Sequence, residues 1–241
     1  MGLTIHYTFR FNGDDDEARN ALARLREHAL TLSFERVGNI VDLAGNACNY
    51  EHEDADPRDG WLLIQSTHNI ERGDSFISVP PKRLIAFSTL PAEGSESANF
   101  GLCQYPMQII SGGQTIDTGL SAEWHWHSFC KTQYASNPQF GGAENFLRCH
   151  IGLVQLLDFA KTLGILAEVT DESDYWVNRD PQALRQTIEQ WNQMIAGFVG
   201  QMKDSIQTTD VQAPITEYPN FEHLEAEGRK QDQDSGEGAE D

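Results

Sequence analysis

The chain has 241 residues, 39% of them hydrophobic and 10% aromatic, which is enough apolar side chain for a folded core and too much for a disordered polymer. Seventeen basic residues face thirty-seven acidic ones, a formal charge of −20 that repels phosphate backbones and anionic lipid at long range, so neither direct nucleic-acid binding nor a membrane partner is expected. There is no bilayer-length apolar run, no signal-peptide pattern and no Cys-x-x-Cys pair among Cys48, Cys103, Cys130 and Cys149, so a cytoplasmic protein with free thiols is expected.

Residues 3–11 alternate, with Leu3, Ile5, Tyr7, Phe9 and Phe11 on one face and Thr4, His6, Thr8 and Arg10 on the other, which predicts a half-buried strand. Asn12-Gly13 turns the chain, and Asp14, Asp15 and Asp16 predict the capped, acidic first turn of a helix reaching Leu32; capping accounts for the triplet more simply than a metal does. A second strand is expected over 34–43, an acidic surface loop over 51–60, and short strands over 61–66, 75–79, 83–88, 99–105 and 107–110, with Pro80-Pro81 and Gly112-Gly113 as breaks. Residues 143–163 carry Phe146, Leu147, His150, Ile151, Val154, Leu157 and Ala160 at helical spacing, and Gly164 stops the run. Asp180-Pro181 starts a second long amphipathic helix that reaches about Lys203. Residues 208–221 are expected to run extended over the surface. From Glu222 onward the chain holds eight acidic and two basic residues with Leu224 as its one large apolar side chain, the composition of a disordered tail.

The stretch from Trp124 to His150 concentrates the groups that could carry chemistry: three of the eight histidines and two of the four cysteines, among aromatics and amides. Side chains two apart in a strand share a face, so His125 and His127, with Cys130 after a bend, form a candidate site for zinc or another divalent metal. In the simpler alternative the two histidines lie on an exposed face with Trp124, Trp126 and Ser128 opposite. Cys130 as a nucleophile, His150 or His127 as its base and Asn145 or Gln133 as an orienting amide meet the residue requirements of a thiol hydrolase or transferase, and Gly141-Gly142 would let backbone amides approach an anion. Here the simpler alternative is small buried thiols and a core histidine. The third reading is binding without chemistry: Lys131, Gln133, Tyr134 and Arg148 as polar lining, with Trp124 and Trp126 as walls.

The opening Met-Gly-Leu-Thr-Ile-His-Tyr, the segment Phe-Cys-Lys-Thr-Gln-Tyr-Ala at 129–135 and Glu-Asn-Phe-Leu-Arg-Cys-His at 144–150 resemble a family of bacterial proteins of unknown function. The resemblance covers most of the chain except the tail. It implies a bacterial, cytosolic origin and carries no activity.

The reading is therefore one α+β domain over 1–221, a mostly antiparallel sheet with the first helix and two later long amphipathic helices packed against it, followed by an acidic disordered tail over 222–241. The leading function is a cytoplasmic binding or interaction protein with a ligand pocket around Trp124 to Arg148. Its partner would be a small molecule, or a basic protein drawn to the acidic surface.

Overall fold

In the computed structural model, residues 2–73, 75–206 and 213–237 are described. The alternating N-terminal run forms β1 (Thr4–Phe11), and Asp14 caps α1 (Asp15–Ala29). The cap is reciprocal: the Asp14 carboxylate accepts from the Glu17 backbone N–H at 2.9 Å and the Glu17 carboxylate from that of Asp14 at 3.0 Å. Asp15 pairs with Arg83 and Asp16 with Arg19, so each acid of the triplet has a partner in the fold.

Where one strand is predicted over 34–43, there are two short ones, β2 (Arg36–Val37) and β3 (Val41–Ala44), both on the same neighbour. Gly38 lies between them with its N–H on the Ser88 carbonyl at 2.8 Å, and a Cβ there would come within 3.0 Å of that carbonyl oxygen. The run at 61–66 is also different from its reading: it is a helix, α2 (Gly60–Ser66). Leu62, Leu63 and Ser66 are buried while Trp61 and Ile64 face out. A short apolar run bears no periodicity that separates strand from helix, and here tertiary packing decides.

The middle of the chain is hairpins and sheet: β4 (His68–Arg72) with β5 (Ser75–Val79), β6 (Arg83–Leu90) with β7 (Ala98–Gln104), and β8 (Gln108–Ser111) with β9 (Gln114–Asp117). Then come β10 (Trp124–Lys131), α3 (Gly142–Thr162), β11 (Leu166–Asp171), a single turn α4 (Tyr175–Asn178) and α5 (Pro181–Ile206). The main sheet is antiparallel throughout and runs β11-β1-β10-β7-β6, with β2 and β3 sharing the outer edge of β6. The α+β architecture, with an early helix and two long helices packed beside an antiparallel sheet, is thus present. α1 packs on β6, β7 and α3, and α3 packs on β11 and α5.

The tail departs from its reading. Residues 221–237 form α6 (Phe221–Glu237), which lies along α5, whereas 238–241 and the 208–212 part of the expected extended segment lie outside the described residues. The contact is backbone on backbone: a Cβ added to Gly228 would stand 2.0 Å from the Gln193 carbonyl oxygen, and one added to Gly197 would stand 2.9 Å from the Gly228 carbonyl carbon. Composition alone predicts disorder because so few large apolar side chains are present. The helix instead gains its contacts through small residues, ion pairs from Arg229 to Asp204 and Glu225, and a second apolar cluster of Ala196, Val199, Ile215 and Tyr218.

Candidate functional site

β10 holds the residues the sequence singles out, and its pleat sorts them. Trp124, Trp126, Ser128 and Cys130 are buried on the core side, and His125, His127 and Phe129 lie on the other, where they register against Arg10, Thr8 and His6 of β1. The strand runs without a bend through Lys131, so Cys130 points away from His125 and His127 and the proposed metal triad does not converge. Among the described residues no three His, Cys, Asp or Glu side chains form a metal-ligating group. His127 instead stacks with His6 at 6.4 Å between ring centroids and its Nδ1 lies 3.2 Å from the Thr8 hydroxyl. Burial, then neighbouring basic side chains, holds both His125 and His127 below the ordinary histidine value.

The groups of the thiol reading are likewise engaged in structure. Cys130 is fully buried, its Sγ donates to the Glu96 carbonyl at 3.3 Å, and burial pushes the thiol far up, the opposite of what a thiolate nucleophile requires. Cys149 is pushed up to about 12 by the same cause. Asn145 donates to the carbonyls of Glu93 and Ala135 and accepts from Arg148, tying three segments together. The glycine pair adopts left-handed backbone, φ 105° at Gly141 and 64° at Gly142, and the Gly142 N–H is spent on the Asn137 carbonyl.

His150 sits at the centre of a buried network. Its Nδ1 is 2.9 Å from the Thr132 hydroxyl, and its Nε2 is 3.2 Å from Asp171 Oδ2 and 3.1 Å from the Ser173 hydroxyl. Asp171 also accepts from the backbone of Ser173 and Trp176 and from the Ser173 hydroxyl. Burial alone would raise the Asp171 carboxyl, but the His150 and Ser173 donors outweigh it and hold it below the usual carboxylate value. A hydroxyl, an imidazole and a carboxylate in this order resemble a nucleophilic relay. Thr132 and His150 are fully buried, however, and neither lines any of the cavities described below, so the network joins β11 and α4 to α3 rather than facing a substrate.

The polar lining of the binding reading is dispersed. The Trp124 and Trp126 indoles are buried and donate to the carbonyls of Gly13 and Asn99. Gln133 accepts from the Leu3 backbone at 3.1 Å, and Lys131 sits 4.9 Å over the Tyr134 ring. Arg148 lines a shallow cleft of about 370 Å³ with Ser33, Glu144 and Gln155.

A larger cavity, of about 640 Å³, opens between α2 and the outward side of β10. Trp61, Ile64 and Phe129 form its apolar walls, and Gln65, Glu96, Ser97 and Asn99 supply its polar groups. Trp61 is 68% exposed, an unusual position for a tryptophan on a surface helix. Inside, hydrogen bonds run from Asn99 Nδ2 to Gln65 Oε1 at 2.5 Å and from Gln65 Nε2 to the Ser128 hydroxyl at 2.6 Å, and Ser128 in turn meets the Tyr7 phenol. Asn99 Oδ1 has no hydrogen-bond partner although the residue is 1% exposed. Of the stretch from Trp124 to Arg148, Phe129 alone is among these lining residues. The others come from α2, from the turn before β7 and from Asn99 at its start, some thirty to seventy residues away. The available signal was Trp61, Ile64 and Gln65 at helical spacing, visible only once 61–66 is read as a helix.

No helix among the described residues is long and apolar enough to cross a membrane. Comparison with protein-family models, curated proteins and solved structures finds no match for this chain.

Proposed function

We propose that the protein is a cytoplasmic small-molecule binding protein whose ligand occupies the cavity between α2 and β10. The observation that carries the reading is that Asn99, whose Oδ1 is an acceptor left without a donor, lines a cavity walled by Trp61, Ile64 and Phe129. A buried acceptor left unmatched costs about 1–3 kcal/mol, which a ligand bearing an N–H or O–H donor recovers in part. Glu96 in the same wall and the overall charge of −20 favour a neutral or cationic ligand over an anion. The ligand class is thus an apolar, flat body with a donor at one end. The acidic surface leaves room for a basic protein partner, although the cavity itself does not require one.

The thiol and metal alternatives draw no comparable support, since Cys130 is buried with a raised thiol and faces away from His125 and His127.

The test is thermal denaturation of the full chain with naphthamide, which carries the donor, and with naphthoate, which lacks it and is charged. Naphthamide raises Tm in proportion to its occupancy and naphthoate does not. Trp61→Ala, an exposed substitution that leaves the fold intact, removes the naphthamide effect. Equal shifts with both compounds, or an undiminished shift in Trp61→Ala, would overturn the reading.

A further inference from the structure

A second concavity lies farther along the same strand. It measures about 240 Å³ and is lined by Arg10, His68, Tyr105, Glu123, Trp124 and His125. Arg10 and His125 are cross-strand partners on the outward face, so their side chains stand next to each other. His68, at the start of β4, packs its ring edge against Tyr105 with centroids 5.9 Å apart. Three basic side chains therefore meet in one hollow of a protein that is otherwise strongly acidic. The Arg10 guanidinium makes no hydrogen bond and no ion pair among the described residues, a state it shares with Arg24 and Arg36, but of these it is Arg10 that shares a hollow with two imidazoles. A guanidinium and two imidazoles thus line one hollow, with Glu123 the one carboxylate among its lining residues.

We propose that this hollow binds an oxyanion, a phosphate or phosphate monoester, through Arg10, His68 and His125. Arg10 supplies the permanent charge and a planar pair of donors, and the imidazoles supply further donors once protonated. The proposal does not rest on the cavity beside α2. The charged and titratable groups facing His125 are Arg10 from β1, His127 from its own strand, His68 from β4 and Tyr105 after β7, with Glu123 at the rim. Burial, then Arg10, His68 and His127, disfavours the His125 cation, and a bound anion opposes that preference, so for an anion of fixed charge binding takes up a proton and tightens as pH falls.

The experiment follows the histidine ring signals of the full chain by NMR while inorganic phosphate is added at constant ionic strength, at pH 6 and at pH 8. The result expected is a saturable shift of the His68 and His125 signals, with half-saturation, reckoned in the phosphate dianion, lower at the acid pH. Arg10→Gln weakens binding by about tenfold or more, the loss of one charge-assisted contact, whereas Arg24→Gln, which removes an exposed charge from α1, leaves it unchanged. Phenyl phosphate run in parallel separates the sources: tighter binding than phosphate assigns the hollow to the head group of an ester, and equal binding assigns it to the free anion. Absence of a saturable shift at tens of millimolar phosphate would overturn the proposal, and so would an equal effect of Arg10→Gln and Arg24→Gln, the mark of a diffuse charge effect.

Discussion

The two halves of the main sheet solve the same problem differently. In β6 and β7 both faces are covered: Leu84, Ile85, Ala86 and Phe87 are all fully buried, as are Phe100 and Leu102, so alternation disappears from the burial pattern. In β1 and β10 one face is buried against the core and the other carries His6, Thr8, Arg10, His125, His127 and Phe129. Both cavities with ligand-binding character lie on this less covered side, bordered by α2 and by His68 just after it. The lesson is positional: the sites mark where the cover over the sheet ends and polar groups lie at the boundary between core and solvent.

The largest expected difference between the halves is in stability. Phe100 stacks with Tyr7, Phe9 and Phe87, so Phe100→Ala costs about 3–5 kcal/mol in urea unfolding. Phe129→Ala, at the 46% exposed position across the strand pair, costs about 0.5 kcal/mol or less while weakening naphthamide binding. If both cost the same, the division of the sheet into two halves fails.

The open half is also held at its β11 edge by a polar device. Asp171→Asn costs about 2 kcal/mol, because the amide cannot accept all the donors that the carboxylate satisfies. The sign of its pH dependence follows from the depressed folded-state value: the carboxylate's contribution is full above its unfolded value of about 3.9 and is lost as pH falls through the folded one. Equilibrium unfolding between neutral and acid pH therefore shows a stability difference between wild type and Asp171→Asn that shrinks toward low pH. A constant difference would indicate a packing role alone.

A smaller effect is expected outside the sheet. Gly228→Val places side-chain atoms on the Gln193 carbonyl and costs about 1–3 kcal/mol of local stability, read as loss of hydrogen-exchange protection in α6 with the sheet unaffected. The smallest concerns reactivity: near neutral pH Cys130 is alkylated by iodoacetamide far more slowly than a free thiol, and unfolding abolishes the difference.

Much of the fold is legible in the sequence. The alternation in β1, the Asp14 cap of α1, the apolar stripe of α3 and the Asp180-Pro181 start of α5 are local signals, strong enough to survive tertiary packing. α2 is not legible, because six mostly apolar residues satisfy either period, and α6 is not, because its packing depends on Gly228 meeting the backbone of α5. The site suffers from the same gap. Cys130, His150 and Asn145 attract attention for their chemistry, yet that hydrogen-bonding capacity is consumed inside the fold. Gln65 and Trp61 carry no motif and matter because α2 brings them to Asn99 of β7 and Phe129 of β10.

The most direct measurement is an NMR titration of the full chain with naphthamide, following the Asn99 side-chain amide and the Trp61 indole. Saturable shifts of both signals are the predicted result, the Trp61 indole shift being lost in Asn99→Leu and the Asn99 amide shift in Trp61→Ala, with Leu84 to Phe87 of β6 unmoved. Shifts confined to β6, or none at Asn99 and Trp61, would contradict the assignment of the cavity between α2 and β10 as the binding site.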